Sequence, residues 1–438
     1  MAKLDPGVVL VVGSGGREHA LAAWLARSEG VLRILVAPGN GGTARERKCQ
    51  NVAVKETDIE GLLALATAEK VGLTVVGPED PLALGIVDRF RDAGFPIFGP
   101  TQAAARLETS KVWAREFMTR HNIPCPAYTI AEDPDAAEAA VRALGGRCVV
   151  KADGLAAGKG VAVCDGVDVA LAAVKSMLVD RQFGEAGARV LVEERLTGLE
   201  LSVMVVSDGT ESFRLLPAQD FKRLLDDDQG PNTGGMGAFA PSPVATRAMM
   251  DTIRKLIIDP TIAGMAAEGT PFTGCLYCGL MLTEDGPKVI EYNVRFGDPE
   301  TQVQLPLLDS DLFRLLKTAA AGSLHGIQVG LNMGRAAVCV VLASQGYPAK
   351  PLSGFVIRGL VEGPRDDGVQ VFHAGTNRVG TDLVTAGGRV LCVVSAQDTV
   401  EEARAAAYNM ITESGIQFRG MQYRTDIAAG IHTEEEEE

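Results

Sequence analysis

Residues 289–302 read "VIEYNVRFGDPETQ" and place Glu291, Asn293 and Arg295 at alternate positions, with Asp298 and Glu300 just beyond. In a strand, alternate residues share one face. A carboxylate, an amide and a guanidinium would then share one side of a sheet whose other residues are apolar. Glu291 and Asn293 are hard oxygen ligands suited to Mg²⁺, which takes few protein ligands and fills its shell with phosphates and water. Arg295 is left free to hold a reacting phosphate or carboxylate. A structural salt-bridge row is the alternative, but it does not account for the Gly and Pro that follow at once in "RFGDPE".

Three other stretches carry groups of the same kind. In "VVKADGLAAGKGVAV", 149–163, Lys151 ends an apolar strand, where a bare ammonium is costly without an anionic partner. The glycine-rich loop after it contains Lys159 and could fold over a polyphosphate; it lacks the G-K-[ST] of a Walker A loop. A glycine hairpin with snorkelling lysines is the structural alternative. In "VLVEERLTGLELSVMVV", 190–206, Glu193, Glu194 and Glu200 lie in an apolar β context and need donors, which an adenine amino group and ribose hydroxyls could supply. A solvated edge and turn serves Glu194 equally well. In "VGSGGREHA", 12–20, a glycine-rich turn could aim N–H groups and a helix N-terminus at an anion. Glu18 stands where the dinucleotide fingerprint needs Gly, so the turn suits a phosphate or ribose phosphate better than NAD. A ligand-free tight turn remains open, although Arg17 and His19 add polar groups at the mouth of the sheet. Glu79, in "GPEDPLALG", could hold a ribose hydroxyl or merely complement a helix dipole.

The elements that position these residues begin as a βαβ alternation. "GVVLVVG" is a continuous apolar run, as in a parallel strand covered on both faces. Helical spacing follows in "REHALAAWLARSEG", then "RILVAPG", a helix at about 58–70, "GLTVVGPE", a helix from about 81 to 94, and "PIFGPT". Residues 101–121 predict one amphipathic helix. Glycine, proline and aspartate predict a long loop over 224–243, functional or disordered. Helix is expected over 244–268, strands at about 273–283 and 287–294, and short β segments with one helix after about 331.

A length of 438 residues suits two to four domains. A net charge of −14 with only 5% aromatics disfavours nucleic acid and acidic membranes as partners. Cys275 and Cys278 form the one CxxC of eight cysteines; without a second ligand pair they read as buried reduced thiols on opposite faces of a strand. No run suits a signal peptide or a membrane span, which predicts a cytoplasmic protein.

The ordered set "GGREHA", "LETSK", "VKADGLAAGKGV", "EE-x-L-x-G-x-E", "GPNTGGMGA" and "EYNVRFGDPETQ" resembles the ATP-grasp enzymes. Within them it is similar to the glycinamide ribonucleotide synthetases (phosphoribosylamine–glycine ligases), to about residue 427. The resemblance implies an α/β fold in three parts. A doubly wound, Rossmann-like parallel sheet spans 1–104. A central ATP-grasp domain spans 105–328, with a mobile lid subdomain at about 124–192. A small C-terminal α+β domain spans 329–430, before an acidic tail at 431–438. It implies ATP-dependent ligation of glycine to 5-phosphoribosylamine through glycyl phosphate, with Mg²⁺ or Mn²⁺, by a monomer.

By the same resemblance Lys111, Lys151, Gly158, Lys159 and Gly160 would contact ATP phosphates. Glu193, Glu194 and the backbone near Leu196 would read adenine, and Glu200 the ribose. Glu291 and Asn293 would bind metal; Lys151, Arg295 and Asp298 would be catalytic. Substrate contacts would come from Gly15, Gly16, Arg17, Glu18, His19, Glu79, Asp220, Asn232, Gly234, Gly235, Arg295, Gly297 and Asp298. The chain departs from the family's "QDHK" at Phe221, and its "GLML" strand (279–282) lacks the further metal-binding acid of many relatives. A bicarbonate-activating carboxylase would lack "RFGDPETQ" and "GPNTGGMG". An ATP-binding regulatory protein would bind nucleotide without turnover, and a module of a multifunctional enzyme would continue into further domains.

Overall fold

A computed structural model describes residues 7–155, 160–360 and 367–431; Gly158, Lys159 and residues 432–438 of the acidic tail lie outside that set. The chain begins with β1 (Gly7–Gly13), α1 (Gly16–Leu25), β2 (Val31–Pro38), β3 (Cys49–Asn51), α2 (Ile59–Ala68), β4 (Val71–Val76), α3 (Glu79–Ala83), α4 (Ile86–Asp92) and β5 (Ile97–Phe98). The strands form a parallel sheet in the order β3-β2-β1-β4-β5. Alternate residues of β1 enter different cores, Val9 and Val11 one and Leu10 and Val12 the other, so the strand is apolar throughout. The helix expected over 81–94 is two helices, because Gly85 adopts φ +84° between them. The short β3 carries no apolar alternation and was not foreseen.

The helix expected over 101–121 is also broken. It comprises α5 (Arg106–Thr109) and α6 (Lys111–Arg120), separated by Ser110. Ser110 is extended, and its hydroxyl accepts the Trp113 N–H at 3.1 Å, so local capping competes with helix continuation. Next come β6 (Tyr128–Ala131), α7 (Pro134–Ala143), β7 (Arg147–Ala152), β8 (Val161–Asp165), α8 (Val167–Val174) and β9 (Val190–Glu194). They make an antiparallel sheet, β6-β9-β7-β8, whose helices close a core of its own.

A second antiparallel sheet, β11-β10-β16-β17, uses β10 (Leu199–Asp208), β11 (Ser212–Arg214) and two strands that follow α9 (Arg247–Ile253) and α10 (Asp259–Ala267): β16 (Thr273–Thr283) and β17 (Gly286–Asn293). Between β16 and β17, Gly279 faces Glu291 while Leu280 faces Val289. Ile290 is therefore a bulge residue, which bends the strand just before Glu291. Cys275 and Cys278 lie in different cores on the two sides of β16 and are unbridged.

The stretch 224–243 is not simply a loop. Between β12 (Gln219–Asp220) and β15 (Gly237–Ala240) runs a hairpin of β13 (Arg223–Leu225) and β14 (Gln229–Asn232). Strand β15 is wholly buried: the Gly237 backbone packs where a side chain would collide with the Cys339 carbonyl. After α11 (Glu300–Gln304) and α12 (Leu312–Ala320), the chain adds β18 (Ala336–Ala343), β19 (Val369–His373), β20 (Thr376–Val379), β21 (Asp382–Thr385), β22 (Arg389–Gln397) and α13 (Val400–Glu413). The C-terminal sheet runs β12-β15-β18-β22-β19, so two of its strands come from the central segment. Among the described residues no helix is long and apolar enough to cross a membrane.

Candidate active site

A cavity of about 480 Å³ lies where these sheets meet. Glu291 and Asn293 of β17 and Arg295 just after it all line the cavity, together with Lys111 at the start of α6, Lys151 of β7 and Lys222. Arg295 donates from Nε to Glu79 Oε2 at 3.1 Å and from Nη2 to Asn293 Oδ1 at 3.0 Å; the same Nη2 is 3.3 Å from Glu108 Oε1. Burial raises the Glu79 carboxyl, but Arg295 and Arg17 outweigh it and hold the group at about 2. At Glu108 burial wins, and the carboxyl is pushed up to about 7 although its Oε2 accepts the Val294 N–H at 2.7 Å. Arg295 thus keeps its charge, raised further by the two glutamates against the cost of burial.

Burial also opposes ionisation of Glu291, yet Lys222, Lys151, Lys111 and Arg295 together hold its carboxyl below the usual range. The donor set of one carboxylate and one amide, ringed by cations, suits a divalent ion that arrives with phosphate oxygens. Among the described residues no group of three or more His, Cys, Asp or Glu could hold a metal ion. The lysines are held by backbone carbonyls: Lys111 Nζ donates to Gly154 O at 2.8 Å, and Lys151 Nζ to Ile290 O at 2.9 Å. Burial lowers Lys111. Burial raises Asp220 to about 7 despite Lys222 at 3.5 Å, with Glu300, Glu200 and Glu291 adding to the rise.

At the other end of the cavity Arg389 Nη1 donates to Gly234 O at 2.6 Å and to Asp298 O at 2.5 Å, and Tyr347 Oη accepts the Gly234 N–H at 2.8 Å. Burial raises the Asp298 carboxyl, but Arg389, Arg17 and a bond from Gln302 outweigh it and hold the group below its usual value. In the glycine-rich turn the N–H groups meet the protein's own carboxylates: Asp298 Oδ2 accepts the Arg17 N–H at 3.2 Å, and Glu18 Oε2 accepts the Gly15 N–H at 2.5 Å. Gly15 and Gly16 make room for other side chains: a Cβ at Gly15 would stand 2.7 Å from Glu18 Oε2, and one at Gly16 2.7 Å from Gln302 Nε2. Glu18 is buried against the turn and Arg17 Nε, and His19 lies in the seam with the C-terminal strands, accepting the His373 N–H at 2.8 Å. Arg17 alone of "GGREH" lines the cavity.

Of the other expected residues, Glu79, Gly160, Asp220, Asn232 and Gly234 line the cavity. Five do not: Glu193, Glu194, Glu200, Gly235 and Gly297; nor does Leu196, which is half-buried. Glu193 is buried on Arg115 and Lys151 instead, which explains why it has no free edge to offer an adenine. Glu194 accepts the Ala127 N–H and pairs with Lys288, and Glu200 pairs with Lys222. Gly235 packs on Pro299, and Gly297 on Glu300. Arg115, Glu108, Lys222, Tyr347 and Arg389 line the cavity and were not foreseen. Helical spacing from Lys111 could have found Arg115, four residues on. Phe221, where the family's motif has His, points away from the cavity and packs with Phe239 and Arg424.

Three family models match most of the chain. The N domain of phosphoribosylglycinamide synthetase matches residues 8–108, its ATP-grasp (A) domain 109–301 and its C domain 337–430. A phosphoribosylamine–glycine ligase of Xylella fastidiosa is 50% identical over 436 residues, which cover 97% of this chain and 99% of that one. The crystal structure of a phosphoribosylamine–glycine ligase from Thermotoga maritima superposes with a TM-score of 0.83 at 34% identity, covering 96% of this chain and 100% of the other. At 16% identity and a TM-score of 0.71, the biotin carboxylase domain of 2-oxoglutarate carboxylase from Hydrogenobacter thermophilus shares the fold over 95% of this chain and 91% of that one; it was crystallised with MgADP and bicarbonate.

Proposed function

The chain belongs to the phosphoribosylglycinamide synthetase family, and from that premise we infer that the cavity ligates glycine to 5-phosphoribosylamine. ATP, glycine and 5-phosphoribosylamine give ADP, phosphate and glycinamide ribonucleotide, a step of purine biosynthesis. A carboxylate does not acylate an amine while oxide is its leaving group. Transfer of the γ-phosphoryl group to glycine gives glycyl phosphate; the amine then attacks its carbonyl carbon and phosphate leaves. No protein nucleophile takes part, so the work of the chain is positioning and charge neutralisation.

The observation that carries this assignment is the juxtaposition of Glu291 and Asn293 with Lys111, Lys151, Lys222 and Arg295 on one cavity wall. Glu291 and Asn293 would hold Mg²⁺, which supplies charge neutralisation at the phosphates. Lys111 and Lys151 hold phosphate oxygens. Arg295, fixed by Glu79 and Glu108, orients the glycine carboxylate and its phosphorylated form. Arg17 and Arg389 hold the anionic ribose phosphate beside Asn232 and Gly234, with Asp298 on the Arg17 N–H and on Arg389. The protein acts as a monomer in the cytoplasm.

The test is ADP release from ATP and Mg²⁺, with glycine and freshly formed 5-phosphoribosylamine each omitted in turn. Release that needs both, with equimolar glycinamide ribonucleotide, is expected. Nucleotide binding without release would favour a regulatory protein, and release with bicarbonate in place of glycine would overturn the assignment. A sedimentation experiment at assay concentration checks the monomer.

A further inference from the structure

A buried ion pair at the site, Arg115 with Glu193, has no part in the ligation assigned above. Arg115 of α6 is 3% exposed and Glu193 of β9 is 1% exposed. Arg115 Nε donates to Glu193 Oε1 at 2.6 Å and Nη2 to Glu193 Oε2 at 3.1 Å, a two-toothed pairing. The remaining donors reach strand β17: Nη2 to Ile290 O at 2.7 Å and Nη1 to Val289 O at 3.2 Å. Lys151 uses the same two acceptors, Glu193 Oε2 at 2.8 Å and Ile290 O at 2.9 Å. Burial raises the Glu193 carboxyl, but Lys151 and Arg115 outweigh it and hold it at about 2, so it is ionised at working pH.

Two features make this more than a buried ion pair. The shared carbonyl belongs to the bulge residue Ile290, whose place in the register leaves it unpaired with β16. And the groups come from three units: the side chain of Arg115 from α6, those of Lys151 and Glu193 from the β6-β9-β7-β8 sheet, and the Ile290 carbonyl from the strand that carries Glu291. We propose that Arg115 is a positioning residue for Lys151. It fixes Glu193 and the Ile290 carbonyl as a two-acceptor seat, so that the ammonium of Lys151 stands at a set distance from Glu291. This rests on the assignment of Lys151 to the nucleotide phosphates. A displacement of about 1 Å in such a group costs on the order of 10²-fold in rate.

The variants are Arg115→Gln, Arg115→Lys, the neutral pair Arg115→Gln with Glu193→Gln, and Lys151→Gln as reference. Arg115→Gln leaves Glu193 paired with Lys151, so it strands no buried charge, and the neutral pair removes the carboxylate half of the seat as well. Each is assayed for ATP dissociation constant and for kcat/KM with ATP and with glycine. Arg115→Gln and the neutral pair are expected to weaken ATP binding by about 10²-fold, as Lys151→Gln does, with the KM for glycine at saturating ATP unchanged. Arg115→Lys, which keeps the charge but not the fork, is expected to lose about tenfold. A neutral pair or Arg115→Lys with wild-type ATP affinity overturns the proposal, as does an equal loss for ATP and glycine, the mark of a merely structural role. If Lys151→Gln binds ATP normally, it is the nucleotide assignment that fails.

Discussion

Replacement of Glu291 by Ala tests the site most directly. Asn293 Oδ1 already accepts a bond from Arg295, so Glu291 brings the one carboxylate on its face of β17. Its removal also takes away a negative charge on which Lys222, Lys151, Lys111 and Arg295 all act. Loss of one preorganised electrostatic group in a water-excluded site costs about 10² to 10³ in kcat, or about 3 to 4 kcal/mol. The side chain is half-buried at a cavity wall rather than in a core, so the melting temperature is expected to move by no more than a few degrees. The assay is coupled ADP release at saturating glycine and 5-phosphoribosylamine across a Mg²⁺ titration. Turnover should stay at least 10²-fold down at every Mg²⁺ concentration. Wild-type turnover at saturating Mg²⁺ would refute the reasoning.

Three other outcomes follow from the geometry. Arg389→Gln should reduce kcat/KM for 5-phosphoribosylamine by about 10- to 100-fold, the worth of a hydrogen bond to a charged group, with the KM for ATP unchanged; an equal effect on both substrates would count against the anion role. Glu108 is raised to about 7, so the folded state holds a proton that the unfolded chain releases near 4.5, and this group's contribution to stability falls as pH rises between those values. Glu108→Gln should remove that loss, on the order of 3 kcal/mol, and parallel wild-type and variant unfolding curves from pH 4.5 to 7.5 would exclude it. Phe221→His restores the family's usual residue at a position packed on Phe239 and Arg424; it should lower stability by about 1 to 3 kcal/mol, and any gain in turnover would place the ring in the reaction after all.

The row Glu291, Asn293 and Arg295 was legible because strand alternation is a local rule, and the β16–β17 bulge falls before the row rather than within it. The parallel sheet was legible for the same reason. What escaped is set by partners distant in sequence. The acidic groups of "GGREHA" and "VEERL" look available for ligands, but Glu18 folds back on its own turn and Glu193 is claimed by Arg115, 78 residues away. Nothing local marks Arg389 or Tyr347, which reach the cavity only because β22 and the C-terminal sheet are docked beside it. Strand β15 was hidden by its glycine, which is there for close packing rather than for a turn.

The mixed origin of the C-terminal sheet bears on the order in which this protein can be made. Strands β12 and β15 leave the ribosome about 100 residues before β18, which pairs with β15, and until then their edges are open. A fragment that begins near residue 329 would lack them and present β18 as a bare, apolar edge, the kind of surface that recruits other chains. Expressed alone, that fragment should aggregate, whereas one that also contains residues 219–240 has the strands to close the sheet. The part with the clearest boundary in sequence is therefore not a part that can be detached.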